Sequence, residues 1–328
     1  MRKLYVGTLS AIAGLSLASS AAFAADGKCG KVSLAKMNWA SASVITEITN
    51  FLMIQGYGCD VKMVPSATTT AITSLAENNE PDVVPELWPN SAPAYPKLAA
   101  EGKVVKATDV ISDGGSENWF IPDYLAKKHP ELKTLDGILK NPKLVGGKFH
   151  NCPDGWGCRK SNDSLIKAFG LEKAGVEIFN HGSGETLAAS MAAAYNNKQP
   201  YFGYYWGPTA ILGRLNMVAV DMGPHNAEAH KCNAQGPEKC ATPGKTSYPS
   251  APVLTVVTKT FKDKNPAIFK LVSNISFTNK EISQVLAWKD AKKASDSEAA
   301  AYWLTKNKAT WSKWVSPAAL AKLDKIIK

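Results

Sequence analysis

Arginine is almost missing from this chain. Only Arg2, Arg159 and Arg214 occur among 38 basic residues, and the lysines that supply the rest are scattered rather than grouped. Nucleic-acid binding needs clustered Lys/Arg facing the phosphates, so the net charge of +10 reads as a solubilising surface and no nucleic-acid partner is expected. Enzyme signatures are missing too. There is no G-x-S-x-G, H-E-x-x-H, Walker loop or G-x-G-x-x-G. Gly182-Ser183-Gly184 lacks the spacing of a nucleophile elbow and reads as a helix start. His129, His150 and His181 stand isolated and read as surface or locally hydrogen-bonded groups, not general bases. No cofactor motif and no internal repeat occurs. Beyond the N-terminal segment no apolar run reaches the ~20 residues needed to span a bilayer. With 45% hydrophobic and 20% charged residues the chain is globular, not disordered.

The N-terminal segment has the plan of an export signal. Arg2 and Lys3 start it, a mostly apolar stretch runs from Leu4 to Leu17, and Ala22-Phe23-Ala24 supplies an A-x-A cleavage pattern. Residues 1–24 are therefore expected to be removed on export. Cys29 follows Gly27 and Lys28, which is no lipobox, so a lipid anchor is not expected. Export makes disulfides the natural state of Cys29, Cys59, Cys152, Cys158, Cys232 and Cys240. Six cysteines allow fifteen pairings. Spacing favours 152 with 158 and 232 with 240, each pair bracketing a short loop. Cys29 and Cys59 would meet if the strands that follow them lay side by side. A competing reading gathers His225, His230, Cys232 and Cys240 as four metal ligands, although their spacing fits no familiar zinc pattern.

The remaining chain alternates strand-like and helix-like segments. Lys31–Met37 is a short β run. Residues 41–55 carry Val44, Ile45, Ile48, Phe51 and Leu52 at helical spacing, and Gly56 ends them. A strand at 60–64, a helix at 69–78 and a strand at 82–84 stopped by Pro85 follow. This β-α-β-α-β order implies a parallel sheet with right-handed crossovers. The middle repeats the style, with strands at 144–149, 200–205 and 217–221 and helices at 161–169 and 184–197. A loop at 223–250, a strand at 252–257 and a helical tail follow. The expected fold class is α/β, with two lobes: residues 25–116 plus 223–328, and residues 117–222.

Tryptophan carries the functional signal. Trp39, Trp88, Trp156 and Trp206 all fall at inferred carboxyl ends of strands or just beyond them, the edge where parallel α/β sheets bind ligands. Trp288, Trp303, Trp311 and Trp314 lie among apolar helical neighbours and read as packing. Indole faces attract cations, each contact contributing ~0.5–2 kcal/mol. They suit a quaternary ammonium, whose charge is spread over methyl groups and which offers no N–H to a carboxylate. The Trp156 loop supplies a complementary half: Gly155, Gly157 and a helix start offer free backbone N–H groups for an anion. A cation box beside an anion nest describes a zwitterion site. Only Glu86 and Asp154 bring acidity to these loops, too little for an amino-acid receptor of the same fold.

Cys152-Pro153-Asp154-Gly155-Trp156-Gly157-Cys158 resembles the disulfide-closed loop of the periplasmic substrate-binding proteins of glycine betaine/proline betaine ABC importers, the ProX/OpuAC type. Leu87-Trp88-Pro89, Tyr204-Tyr205-Trp206-Gly207-Pro208, Ser247-Tyr248-Pro249 and Asn265-Pro266 follow in the same order. The resemblance spans about residues 30–315. It implies a type II periplasmic-binding fold, with two α/β lobes joined by a hinge and the ligand site in the cleft. It implies an ammonium cage of Trp88, Trp156 and Trp206, with carboxylate contacts from the amides of Trp156, Gly157 and Cys158. Trp39 matches a position used by the choline- and OpuAC-like relatives and would be a fourth wall. Trp119 is expected at the crossing between lobes, and Tyr205 and Ser41 as lesser polar contacts. The implied protein is a monomer that catalyses nothing, needs no cofactor, and delivers a quaternary-ammonium solute to an inner-membrane ABC permease. Glycine betaine or proline betaine leads; choline, carnitine and a sulfonium analogue are alternatives, as is an exported enzyme acting on a choline-like substrate.

Overall fold

The computed structural model describes residues 29–327. The expected export signal, residues 1–24, lies outside them. Among the described residues no helix is long and apolar enough to cross a membrane. Nine strands follow in sequence: β1 (Lys31–Met37), β2 (Asp60–Ser66), β3 (Val83–Leu87), β4 (Val104–Pro122), β5 (Lys148–Asn151), β6 (Glu177–Asn180), β7 (Gly203–Gly207), β8 (Met217–Ala219) and β9 (Ala251–Thr258). Their spatial order is β2-β1-β3-β9-β4-β7-β5-β6, with β8 also beside β4.

Strand β4 ties two sheets together. From Val104 to Gly115 it pairs antiparallel with β9, and from Ser116 to Phe120 with β7. Three register shifts along its first half bend it, as extra residues in a ladder do. The first sheet therefore holds β2, β1, β3, β9 and the start of β4. The second holds the end of β4 with β7, β5, β6 and β8. Within each, the crossover strands are parallel: β1 with β2 and β3, and β5 with β6 and β7. Helices cover the sheets, as the crossovers require. The α/β architecture with two lobes is thus the one expected from the alternating pattern.

Several elements differ from the expectation for physical reasons. Pro85 does not stop β3; it sits at the irregularity between Val84 and Leu87, where no ladder N–H is needed. Residues 142–145 form a 3-10 turn, and β5 starts only after Gly146 and Gly147, both at positive φ. The loop at 223–250 contains a helix, Ala227–Asn233, and its contacts run to the second sheet's side. Asn233 accepts from Ser164 there, Lys245 lies over Phe169, and Tyr248 donates to Asn162. The chain returns to the first sheet at Ala251. Trp119 is not at the crossing but four residues past Gly115, fully buried against Phe149 and Phe202, with its Nε1–H donating to Asn162.

Cysteines pair as 29–59, 152–158 and 232–240. The last pair consumes two of the four ligands in the metal alternative, which is thereby overturned. Trp303 stacks on Trp314 and both meet Phe277, while Trp311 is fully buried. Trp288 stacks on Tyr302.

Candidate functional site

Strand ends aim the four tryptophans at one another. Trp39 follows β1 and precedes the helix Ala40–Phe51. Trp88 follows β3 and precedes the turn Pro89–Ser91. Trp156 lies beyond β5 and precedes the helix Gly157–Phe169. Trp206 is in β7 itself, one residue from its end. All four line a single cavity between the two sheets, together with Gly157 and Cys158. The ring centroids of Trp39 and Trp156 are 5.5 Å apart at 70°, and those of Trp156 and Trp206 are 5.0 Å apart at 86°. Successive indoles at near right angles make adjoining walls of a box. The benzo edge of Trp88 reaches β4: a Cβ at Gly115 would meet its Cη2 at 2.3 Å, so glycine is required there.

Three of the four indole N–H groups, those of Trp39, Trp88 and Trp156, are tied down. Trp39 Nε1 and Trp88 Nε1 both donate to Glu86 Oε1, at 2.6 and 2.9 Å, and Ser41 Oγ donates to the same oxygen at 3.0 Å. Trp156 Nε1 donates to Asn38 Oδ1 at 2.8 Å. Each bond removes a rotational freedom that a ligand would otherwise have to restrain. Glu86 is buried, and desolvation raises its pKa against the three bonds that lower it. Ser41 therefore serves the box through Glu86. Tyr205 borders a neighbouring cavity with Trp39, Trp206 and Arg214, while Tyr204 faces the cage cavity.

The other half of the cavity is polar. The helix Gly157–Phe169 begins here with no side-chain cap on its N-terminus and no acidic residue in its first turn. Its first residues, Gly157 and Cys158, line the cavity, and helix-end N–H groups favour an anion. The Cys152–Cys158 bridge closes the loop behind them, and Arg159 braces it through Asp154 and Asp163. A Cβ on Gly157 would come within 1.9 Å of Ser91 O, so the two sides of the cleft touch at this glycine.

Four lining residues were not foreseen: Thr68, Ser91, Glu117 and Tyr204. Glu117 matters most. It is 6% exposed, and its Oε1 accepts from Tyr204 Oη at 2.7 Å and, weakly, from Ser91 Oγ at 3.4 Å. Its Oε2 is buried without a partner. Desolvation pushes its pKa up to about 7, against the two hydrogen bonds. A lone acid beside Trp119 and Phe120 was the available signal, but it lies on a strand the sequence pattern conceals.

A family model for the substrate-binding domain of the ABC-type glycine betaine transport system (OpuAC) matches residues 30–306. A glycine betaine/proline betaine-binding periplasmic protein of Salmonella typhimurium is 22% identical over 268 residues, covering 76% of this chain and 78% of its own. A trimethylamine N-oxide-binding protein of Pelagibacter ubique is 24% identical over 295 residues, covering 84% and 87%. Among solved structures, a choline-binding ABC-transporter protein in complex with choline superposes with a TM-score of 0.72 at 20% identity, over 92% of this chain and 99% of that one. Lactococcal OpuAC with glycine betaine gives 0.68 at 17% identity, over 88% and 100%. At these identities the structural likeness establishes the fold.

Proposed function

We infer the function from one premise: this chain belongs to the family of substrate-binding domains of ABC-type glycine betaine transport systems. The ligand we propose is a small methylated-amine zwitterion, glycine betaine or proline betaine. The carrying observation is that four indoles share one cavity with Gly157 and Cys158, the first residues of an uncapped helix. Trp39, Trp88, Trp156 and Trp206 hold the onium group through their ring faces, because methylated nitrogen has charge to share and no hydrogen to donate. Three or four such contacts of ~0.5–2 kcal/mol each, added to burial of the methyls, support micromolar affinity at about −8 kcal/mol after association costs. The ligand's carboxylate takes the amides at the helix start.

A second reading, a choline-type cation, draws support from Glu117, a buried carboxyl in the same cavity. The bent strand β4 and the return into β9 serve as the hinge on which the cleft closes over ligand. The protein catalyses nothing, acts as a monomer after loss of residues 1–24, and hands its ligand to an inner-membrane ABC permease from the periplasm. Calorimetric titration of the mature protein with glycine betaine, proline betaine, choline, carnitine, trimethylamine N-oxide and proline tests the assignment. Micromolar binding of methylated amines with none of proline supports it. Binding of proline in preference to all of them overturns it.

A further inference from the structure

Among the described residues, Glu117 is the one carboxyl group on the wall of the tryptophan cavity. Strand β4 places it directly opposite Trp206 in the ladder and two residues from Gly115, on which Trp88 rests. It therefore sits between two walls of the box. One of its oxygens is engaged by Tyr204 and Ser91; the other, Oε2, is buried and unpartnered. An ionised oxygen left so costs free energy, which a proton on it or a cationic ligand beside it would offset.

Nothing else on the neighbouring elements neutralises it. From β7 comes the Tyr204 hydroxyl, and from the loop before β9 that of Tyr248; burial holds both well above 10, so both stay neutral. The turn Pro89–Ser91 brings only Ser91, and the helix start only Gly157 and Cys158. No ion pair among the described residues includes Glu117, whose pKa of about 7 reflects desolvation against two hydrogen bonds. Glu86, the other buried carboxyl nearby, is committed to the indoles of Trp39 and Trp88 and does not line the cavity.

A desolvated cavity favours net neutrality, because a buried uncompensated charge is expensive. An onium cation neutralises ionised Glu117. A zwitterion already sums to zero, so it is best accommodated when Glu117 carries a proton, which Oε2 can then donate to the ligand's oxyanion. Building on the cage reading above, we propose that Glu117 determines specificity by exchanging its proton against the ligand's charge: zwitterionic methylated amines bind with proton uptake, and onium cations bind with proton release. The preference of the site then turns with pH. Between pH 6 and pH 8 affinity for a betaine falls about tenfold while affinity for choline rises about tenfold.

The test is calorimetric titration of the wild-type protein at pH 7 in phosphate and in Tris, whose ionisation enthalpies differ. The dependence of the apparent enthalpy on buffer gives the number of protons exchanged. Glycine betaine is expected to take up roughly half a proton and choline to release roughly half. In Glu117→Gln the buffer dependence should vanish for whichever ligand binds. If choline is not bound, the betaine arm decides alone: uptake that disappears in Glu117→Gln supports the proposal, and no uptake overturns it. Proton exchange of the same sign for both ligands, or exchange that survives Glu117→Gln, also overturns it. Failure of the wild-type protein to bind any methylated amine is a different result, and strikes the cage reading instead.

Discussion

Trp156 joins two neighbouring walls of the box, so its removal should cost more than one contact. Its ring meets Trp39 at 5.5 Å and Trp206 at 5.0 Å, and its Nε1 is held by Asn38. In Trp156→Ala the ligand loses one desolvated cation–π face, about 2 kcal/mol. The neighbouring indoles lose edge contacts of about 0.5–1.5 kcal/mol each, which fix their orientation. Part of that loss falls on binding, giving about 2–4 kcal/mol in total, or roughly 30- to 1,000-fold in Kd. The truncation also costs fold stability, about 3–5 kcal/mol for a buried Trp. Circular dichroism and the melting temperature must therefore show a folded variant before affinity is measured. Calorimetry with glycine betaine then gives the answer, and Trp156→Phe should recover part of the loss. A folded Trp156→Ala variant that binds within twofold of the parent would refute the reasoning.

Gly157→Ala should act through closure: its Cβ would meet Ser91 O at 1.9 Å, so ligand affinity should drop at least 100-fold, a loss of about 3 kcal/mol, while the melting temperature of the ligand-free protein changes little. Replacing Cys152 and Cys158 together by Ser frees the loop behind the amides proposed to hold the carboxylate. Urea unfolding should report a loss of about 2 kcal/mol, and titration a weaker but measurable affinity. His150 has its pKa lowered to about 4 by burial, with His181 and Lys148 adding to the effect. The unfolded chain then binds the extra proton first, so stability is fully present above the ordinary histidine value near 6.5 and is lost as pH falls toward 4. The loss is about 3 kcal/mol, and His150→Gln should flatten this part of the stability–pH curve.

The sequence made the tryptophans legible because each stands where an apolar or polar pattern breaks, at or beyond the carboxyl end of a strand. The first strands and their helices were legible for the same reason, since Val44, Ile45 and Ile48 repeat at helical spacing and all end up fully buried. Strand β4 was hidden by its own bending. Asp113-Gly114-Gly115-Ser116 reads as a turn, and Asp109, Ser112 and Asn118 interrupt any alternation. Yet Gly115 is there to admit Trp88, and Gly114 takes positive φ beside Ala251. Concealing the strand concealed Glu117, because an acid in an apparent loop needs no explanation, whereas an acid in a buried strand does. Glu86 was visible as an acid but not as the shared acceptor of two indoles, a role that depends on β1 and β3 being neighbours. Tyr205 was expected as the polar contact, but alternation along β7 puts its neighbour Tyr204 on the cavity with Trp206 and turns Tyr205 to the adjoining one.

The central claim is that four indoles surround a methylated onium group, and a crystal structure of the mature protein with glycine betaine tests it most directly. The account predicts the trimethylammonium group within about 6 Å of the ring centroids of Trp39, Trp88, Trp156 and Trp206, with the carboxylate on the amides of Gly157 and Cys158. Density for the ligand outside that box, with the four rings unchanged around other contents, would contradict it.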